Sequence, residues 1–132
     1  MGKSFAFGIS CLALIGSGCG SDQTPAEFYV SVEQQWCMGR SAEEMMSEYY
    51  YSDMATRRFV NLYAAAFSNP SAEVERHCMT FDFDDELQET RTEEVSDGRF
   101  AILGMTMNGS FKRIPYQRVV RNDEGYLVKF EK

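Results

Sequence analysis

The hydrophobic period of this chain changes once, from three-and-four spacing before residue 70 to alternation after Val74, and that change restricts the architectures open to it. In the first part, Thr24-Pro25-Ala26-Glu27 is a helix start: Thr24 caps, Pro25 takes a position where its missing N–H does no harm, and Glu27 closes the capping box. Phe28, Val32 and Trp36 then recur four apart with Tyr29 beside them, so this helix buries a wide stripe before ending near Gly39. A second capping box, Ser41-Ala42-Glu43-Glu44, opens a short helix with Met45, Met46, Tyr49 and Tyr50 on its apolar side. Ser52-Asp53 opens a third, in which Met54, Phe59, Leu62, Tyr63, Ala66 and Phe67 recur until Asn69-Pro70 stops it.

After Val74 the alternation predicts strands. Met79, Phe81 and Phe83 alternate with Thr80, Asp82 and Asp84, and a polar strand is predicted from about Leu87 to Val95. Asp97-Gly98 is a turn, Phe100 to Met107 an apolar strand, and Asn108-Gly109 a hairpin signal. Phe111 to Arg121 and Tyr126 to Glu131 complete a meander around the turn from Asn122 to Gly125; Pro115 marks an edge or a bulge. Helices followed by antiparallel strands predict an α+β domain, with the N-terminal helices packed in the concave face of a curved, cone-like sheet.

The chain begins with what reads as a signal peptide, residues 1–18: a positive start at Lys3, an apolar stretch from Phe5 to Ile15, and small residues at Gly16-Ser17-Gly18. That stretch is too short to span a bilayer, for which about 20 predominantly apolar residues are needed. Ile15-Gly16-Ser17-Gly18-Cys19 resembles the lipobox of bacterial lipoproteins, and the resemblance implies a lipid on Cys19 and a membrane anchor. Gly20 and Ser21 then resemble the outer-membrane-sorted pattern, facing the periplasm if the cell has two membranes. The alternative is an ordinary secretory peptide cut at the same bond, with Cys19 a plain thiol. The expected organisation is leader 1–18, a lipid-anchored tether 19–23, and one domain from 24 to 132.

Cysteine arithmetic follows from export. Cys11 leaves with the leader and a lipid occupies Cys19, so Cys37 and Cys78 remain and are predicted to form a disulfide in an oxidising compartment. Two separate buried thiols are the alternative. A zinc site is excluded by ligand spacing, because His77 is the only histidine.

The ending, from Tyr116-Gln117-Arg118-Val119-Val120-Arg121 through Asn122-Asp123-Glu124-Gly125 to Tyr126-Leu127-Val128, resembles the closing hairpin of the nuclear-transport-factor-two-like superfamily, especially its small exported lipoproteins. The resemblance implies a cone whose mouth often becomes a ligand or catalytic pocket, and a homodimer through the open sheet face. Trp36, Tyr49, Tyr50, Tyr63, Phe81, Phe100 and Met105 are the candidates to line that mouth, and each also reads as ordinary core.

The net charge of −7 disfavours nucleic acid, and the basic pairs Arg57-Arg58 and Lys112-Arg113 read as solvated surface. His77, placed on a strand, shares a face with Met79 and Phe81 and not with Asp82 or Asp84, so no local His–Asp pair is implied. The acidic run Asp82-Phe83-Asp84-Asp85-Glu86 lacks the length, glycine and spacing of a calcium loop and reads as a solvated strand end. With no nucleophile triad, phosphate loop or metal motif, the sequence assigns no catalytic residue, metal or cofactor. The leading expectation is a membrane-anchored extracytoplasmic binding or structural lipoprotein contacting a protein partner or small ligand, an immunity-type protein being one version. The alternative is a small isomerase- or dehydratase-type pocket enzyme, which requires a tyrosine and a buried carboxyl of raised pKa inside a cavity, and which an apolar, filled cone would remove.

Overall fold

The computed structural model describes residues 23–69, 71–80 and 82–131, with nothing said of the Phe83 side chain; the leader 1–18, Cys19, most of the tether, Pro70 and Phe81 lie outside the described residues. Five helices come first: α1 (Pro25–Cys37), α2 (Ala42–Glu48), α3 (Met54–Ser68), α4 (Ala72–Met79) and α5 (Phe83–Gln88). Four strands follow, β1 (Thr90–Ser96), β2 (Arg99–Met105), β3 (Phe111–Asn122) and β4 (Gly125–Phe130), in an antiparallel sheet of order β1-β2-β3-β4. This is an α+β fold, the helices packing with an open, curved sheet.

The first three helices begin where their caps predict. Thr24 and Ser41 each accept from the backbone N–H three residues on, Glu27 and Glu44 reciprocate, and Asp53 accepts from Thr56 N. Residues 72–88 correct the sequence reading. In place of a strand through Met79 and a polar strand from Leu87, the chain forms α4, capped by Ser71, and α5, capped by Asp82, and the first strand starts at Thr90. The alternation around Met79 is therefore not strand patterning. No residue of α4 is fully buried, and Met79 is well exposed.

The core lies between the helices and one sheet face: Phe28, Tyr29, Val32 and Trp36 from α1, Met45 and Met46 from α2, and Val60 from α3 meet Phe100, Ile102, Val119 and Val128. Aromatic rings fill much of it, with Trp36 stacked on Phe67 at 5.6 Å and Tyr63 edge-on to Trp36 at the same distance. Cys37 at the end of α1 is bonded to Cys78 of α4, with Cα atoms 5.3 Å apart, which ties the otherwise superficial α4 to the body.

Pro115 sits in a bulge, one of the two placements its chemistry allows in a sheet. Ala101 pairs with Arg118 but Leu103 pairs with Arg113, so four residues of β3 face Ile102 alone. Within the bulge Tyr116 takes φ 69°, a left-handed value unusual for a bulky side chain, and its ring lies tilted against Phe130, centroids 5.8 Å apart. The β4 edge is closed by the segment after α2: Val128 N donates to Tyr49 O, and Tyr51 N donates to Val128 O, both at 2.8 Å.

Candidate functional site

Two places combine polar chemistry with shape. The first is a polar cluster beneath α1. Tyr29 and Glu33 lie one turn apart on that helix, so both point the same way. The β3 bulge brings Gln117 under them; it is 6% exposed, and its amide works against the rise of the Tyr29 and Tyr63 phenols.

Burial, with a smaller contribution from the Glu33 charge, pushes the Tyr29 and Tyr63 phenols well above their ordinary range. The same burial acts on Glu33, reinforced by the nearby carboxylate of Glu86 on α5, and raises its pKa from 4.5 to about 7. His77 of α4 lies across from it, Nε2 to Oε1 3.9 Å, with the Glu33 side chain 20% exposed. A carboxyl raised in this way is suited to giving or taking a proton near neutral pH.

The second place is a surface cleft of about 490 Å³ between α2, the start of α3 and the β3–β4 turn. Glu43, Glu48 and Glu124 line it with Arg57, and Tyr50 and Tyr126 form part of its wall. Glu43 faces Arg57 at 3.6 Å, and Glu48 pairs with Arg40. A smaller hollow of about 250 Å³, more basic, with Arg99, Arg121 and Lys129, lies by the same turn.

Of the residues the sequence put forward for a cone mouth, Trp36, Tyr49, Tyr50, Tyr63 and Phe100 lie in or against the hydrophobic core. Trp36 is 1% exposed and donates from Nε1 to the Tyr50 hydroxyl at 2.9 Å, while Tyr63 packs on Trp36, Phe59 and Phe67. Tyr49 is half-buried against Phe28, and Phe100 is buried with its ring edge-on to Tyr126. Met105 is exposed at the end of β2, and Phe81 lies outside the described residues. Among the described residues of this set, only Tyr50 reaches the large cleft.

His77 is on a helix rather than a strand, so the parity that set it apart from the acidic residues does not apply; its acidic neighbour is Glu33, from a different helix. The acidic run forms the start of α5, where Asp82 caps and Glu86 turns toward Glu33. Glu33 and Gln117 were not singled out in the sequence. The one local signal was the four-residue spacing of Tyr29 and Glu33, which places a carboxylate on the helix face that carries the core.

Among the described residues no group of three His, Cys, Asp or Glu side chains is arranged to hold a metal ion, and no helix is long and apolar enough to cross a membrane. Comparison with protein-family models, with curated proteins and with solved structures finds no match to this chain.

Proposed function

We propose that this chain is an exported binding lipoprotein of the bacterial cell envelope, held to a membrane by a lipid on Cys19 and contacting a protein partner or small ligand through the cleft between α2 and the β3–β4 turn. The observation that carries the reading is the division between a core filled with interlocked rings and a 490 Å³ cleft open at the surface. The Cys37–Cys78 bridge supports export, since disulfides persist in oxidising compartments. Two or more acyl chains give stable membrane attachment where a single chain does not. An immunity protein that captures a secreted toxin is one form of this function, and the resemblance of the closing hairpin to nuclear-transport-factor-two-like lipoproteins is compatible with it.

The test is an intact mass of the protein extracted gently from membranes, before and after reduction. The mature chain with acyl groups, two protons heavier after reduction, supports the reading. A bare mass in the soluble fraction overturns the anchor. Mass carried by a retained adduct identifies a small ligand, whereas an empty chain directs the search to proteins.

A second reading, a small acid–base enzyme of the isomerase or dehydratase type, is favoured by Glu33, whose pKa is raised to about 7 beside tyrosines, although neither described cavity is lined by it. Its test is a carbon-13 NMR titration of the Glu33 carboxyl. A midpoint near 4.5 removes this reading, and one near 7 sustains it.

A further inference from the structure

The two edges of the sheet are treated differently. The β4 edge is closed by the backbone of Tyr49 and Tyr51, whereas among the described residues β1 pairs only with β2. The outward-facing backbone groups of Thr90–Ser96 therefore form an open template for another strand. Proteins commonly guard such an edge with charges that repel a second copy. The charges on β1 do the opposite.

Arg91 and Glu93 occupy the same face of β1, with Thr92 between them on the other. Both are held on that face by β3, Arg91 lying 4.1 Å over the Phe111 ring and Glu93 3.2 Å from Arg113. In an antiparallel pair, residues directly opposite point to the same side of the sheet. Two copies meeting edge to edge about a two-fold axis normal to the sheet therefore pair odd positions with odd and even with even. A register centred on Arg91, Glu93 or Glu94 puts like charges together on the axis. The register centred on Thr92 sets Arg91 opposite Glu93 of the second copy, twice by symmetry, with Thr92 opposite Thr92 and Thr90 opposite Glu94.

We propose that β1 is a self-complementary edge through which two copies of this chain pair antiparallel about Thr92. Two four-stranded sheets then join into one of eight, with both sets of helices on the same side. The irregularity between Glu94 and Ser96 ends the pairing, leaving a short interface of Thr90 to Glu94. This dimer joins edges, not sheet faces, and it does not depend on the lipid anchor or on the cleft.

The register supplies the test. At the axis the two Thr92 Cα atoms lie about 4.5–5.5 Å apart, inside the range a disulfide spans. Full-length chain carrying Thr92→Cys should cross-link to a dimer under mild oxidation, read by non-reducing electrophoresis against the unsubstituted chain. Thr90→Cys, also half-buried on the same strand but opposite Glu94, should cross-link at least tenfold more slowly. Adding Arg91→Glu to Thr92→Cys should abolish the cross-link, and adding Glu93→Arg as well should restore it, which separates lost pairing from lost folding. Equal cross-linking at Thr90→Cys and Thr92→Cys, or no dimer from Thr92→Cys at millimolar chain, overturns the proposal.

Discussion

The indole nitrogen of Trp36 donates to the hydroxyl of Tyr50 at 2.9 Å, joining α1 to the segment that closes the β4 edge at a point where both side chains are almost wholly buried. Tyr50→Phe removes the acceptor and leaves a buried N–H unpaired, which costs about 1–3 kcal/mol. Because Trp36 is the only tryptophan, its emission reports the change directly. The expected outcome is a lower denaturant midpoint with an altered native emission maximum. An unchanged midpoint would mean that water or another acceptor replaces the phenol.

The Cys37–Cys78 bond closes a loop of 41 positions, and none of the α4 residues it secures is fully buried. Replacing both cysteines with serine should cost roughly 4 kcal/mol by the loop-entropy model. Hydrogen exchange offers the finer check. Amides of α4 should lose protection in the variant while those of β2 and β3 keep theirs relative to the new global stability.

Glu33 makes stability depend on pH. Its folded value of about 7 lies above the ordinary 4.5, because burial and then Glu86 disfavour the charged form. As pH rises from about 4.5 to 7, the unfolded chain releases this proton and the folded chain retains it, so stability falls across that window. The groups facing it are Tyr29, Tyr50, Tyr63, His77 and Glu86. Glu33→Gln should flatten the profile and stabilise the protein at pH 8 by on the order of 2 kcal/mol, allowing for partial solvent access. Parallel profiles for the two proteins would show that another group carries the dependence.

Asp53 acts in the opposite direction. The Lys129 ammonium at 2.8 Å, then the Thr56 backbone N–H, hold its carboxyl down to about 2, from 3.8. The stability this confers is present above about pH 4 and lost as pH falls toward 2. Asp53→Ala removes the cap of α3 as well as the ion pair, and should cost about 1–2 kcal/mol at neutral pH. The loss should shrink in thermal melts recorded near pH 2.

Helices α1 to α3 were legible because each carries its own start signal and an apolar stripe, and the last three strands because Asp97-Gly98, Asn108-Gly109 and the turn before Gly125 fix their ends. Helices α4 and α5 were misread. They are short and present mainly charged or exposed side chains, so the stripe that distinguishes a helix from a strand is missing, and only Ser71 and Asp82 mark where they begin. The Cys37–Cys78 pairing was legible from counting, because the expected leader and lipid set Cys11 and Cys19 aside. The Glu33 cluster was not, because its members come from α1, α3, α4, α5 and β3, and only the Tyr29–Glu33 spacing is local. Gln117 reaches the cluster through the bulge at Pro115, a feature the proline announced without saying what it would aim inward.

The closure of the β4 edge has a consequence for the order of events when the chain is made. Tyr50 bridges to Val128, Asp53 binds Lys129, and the Thr56 hydroxyl accepts from Phe130 N at 3.0 Å, ties that span 74 or more positions and all end in β4. Until β4 has formed, the second and third helices lack the strand these ties reach, and loops of this length must be closed before the contacts reward them. The chain is therefore kept from completing its fold until β4 is available, and deleting Val128 to Phe130 should leave it open.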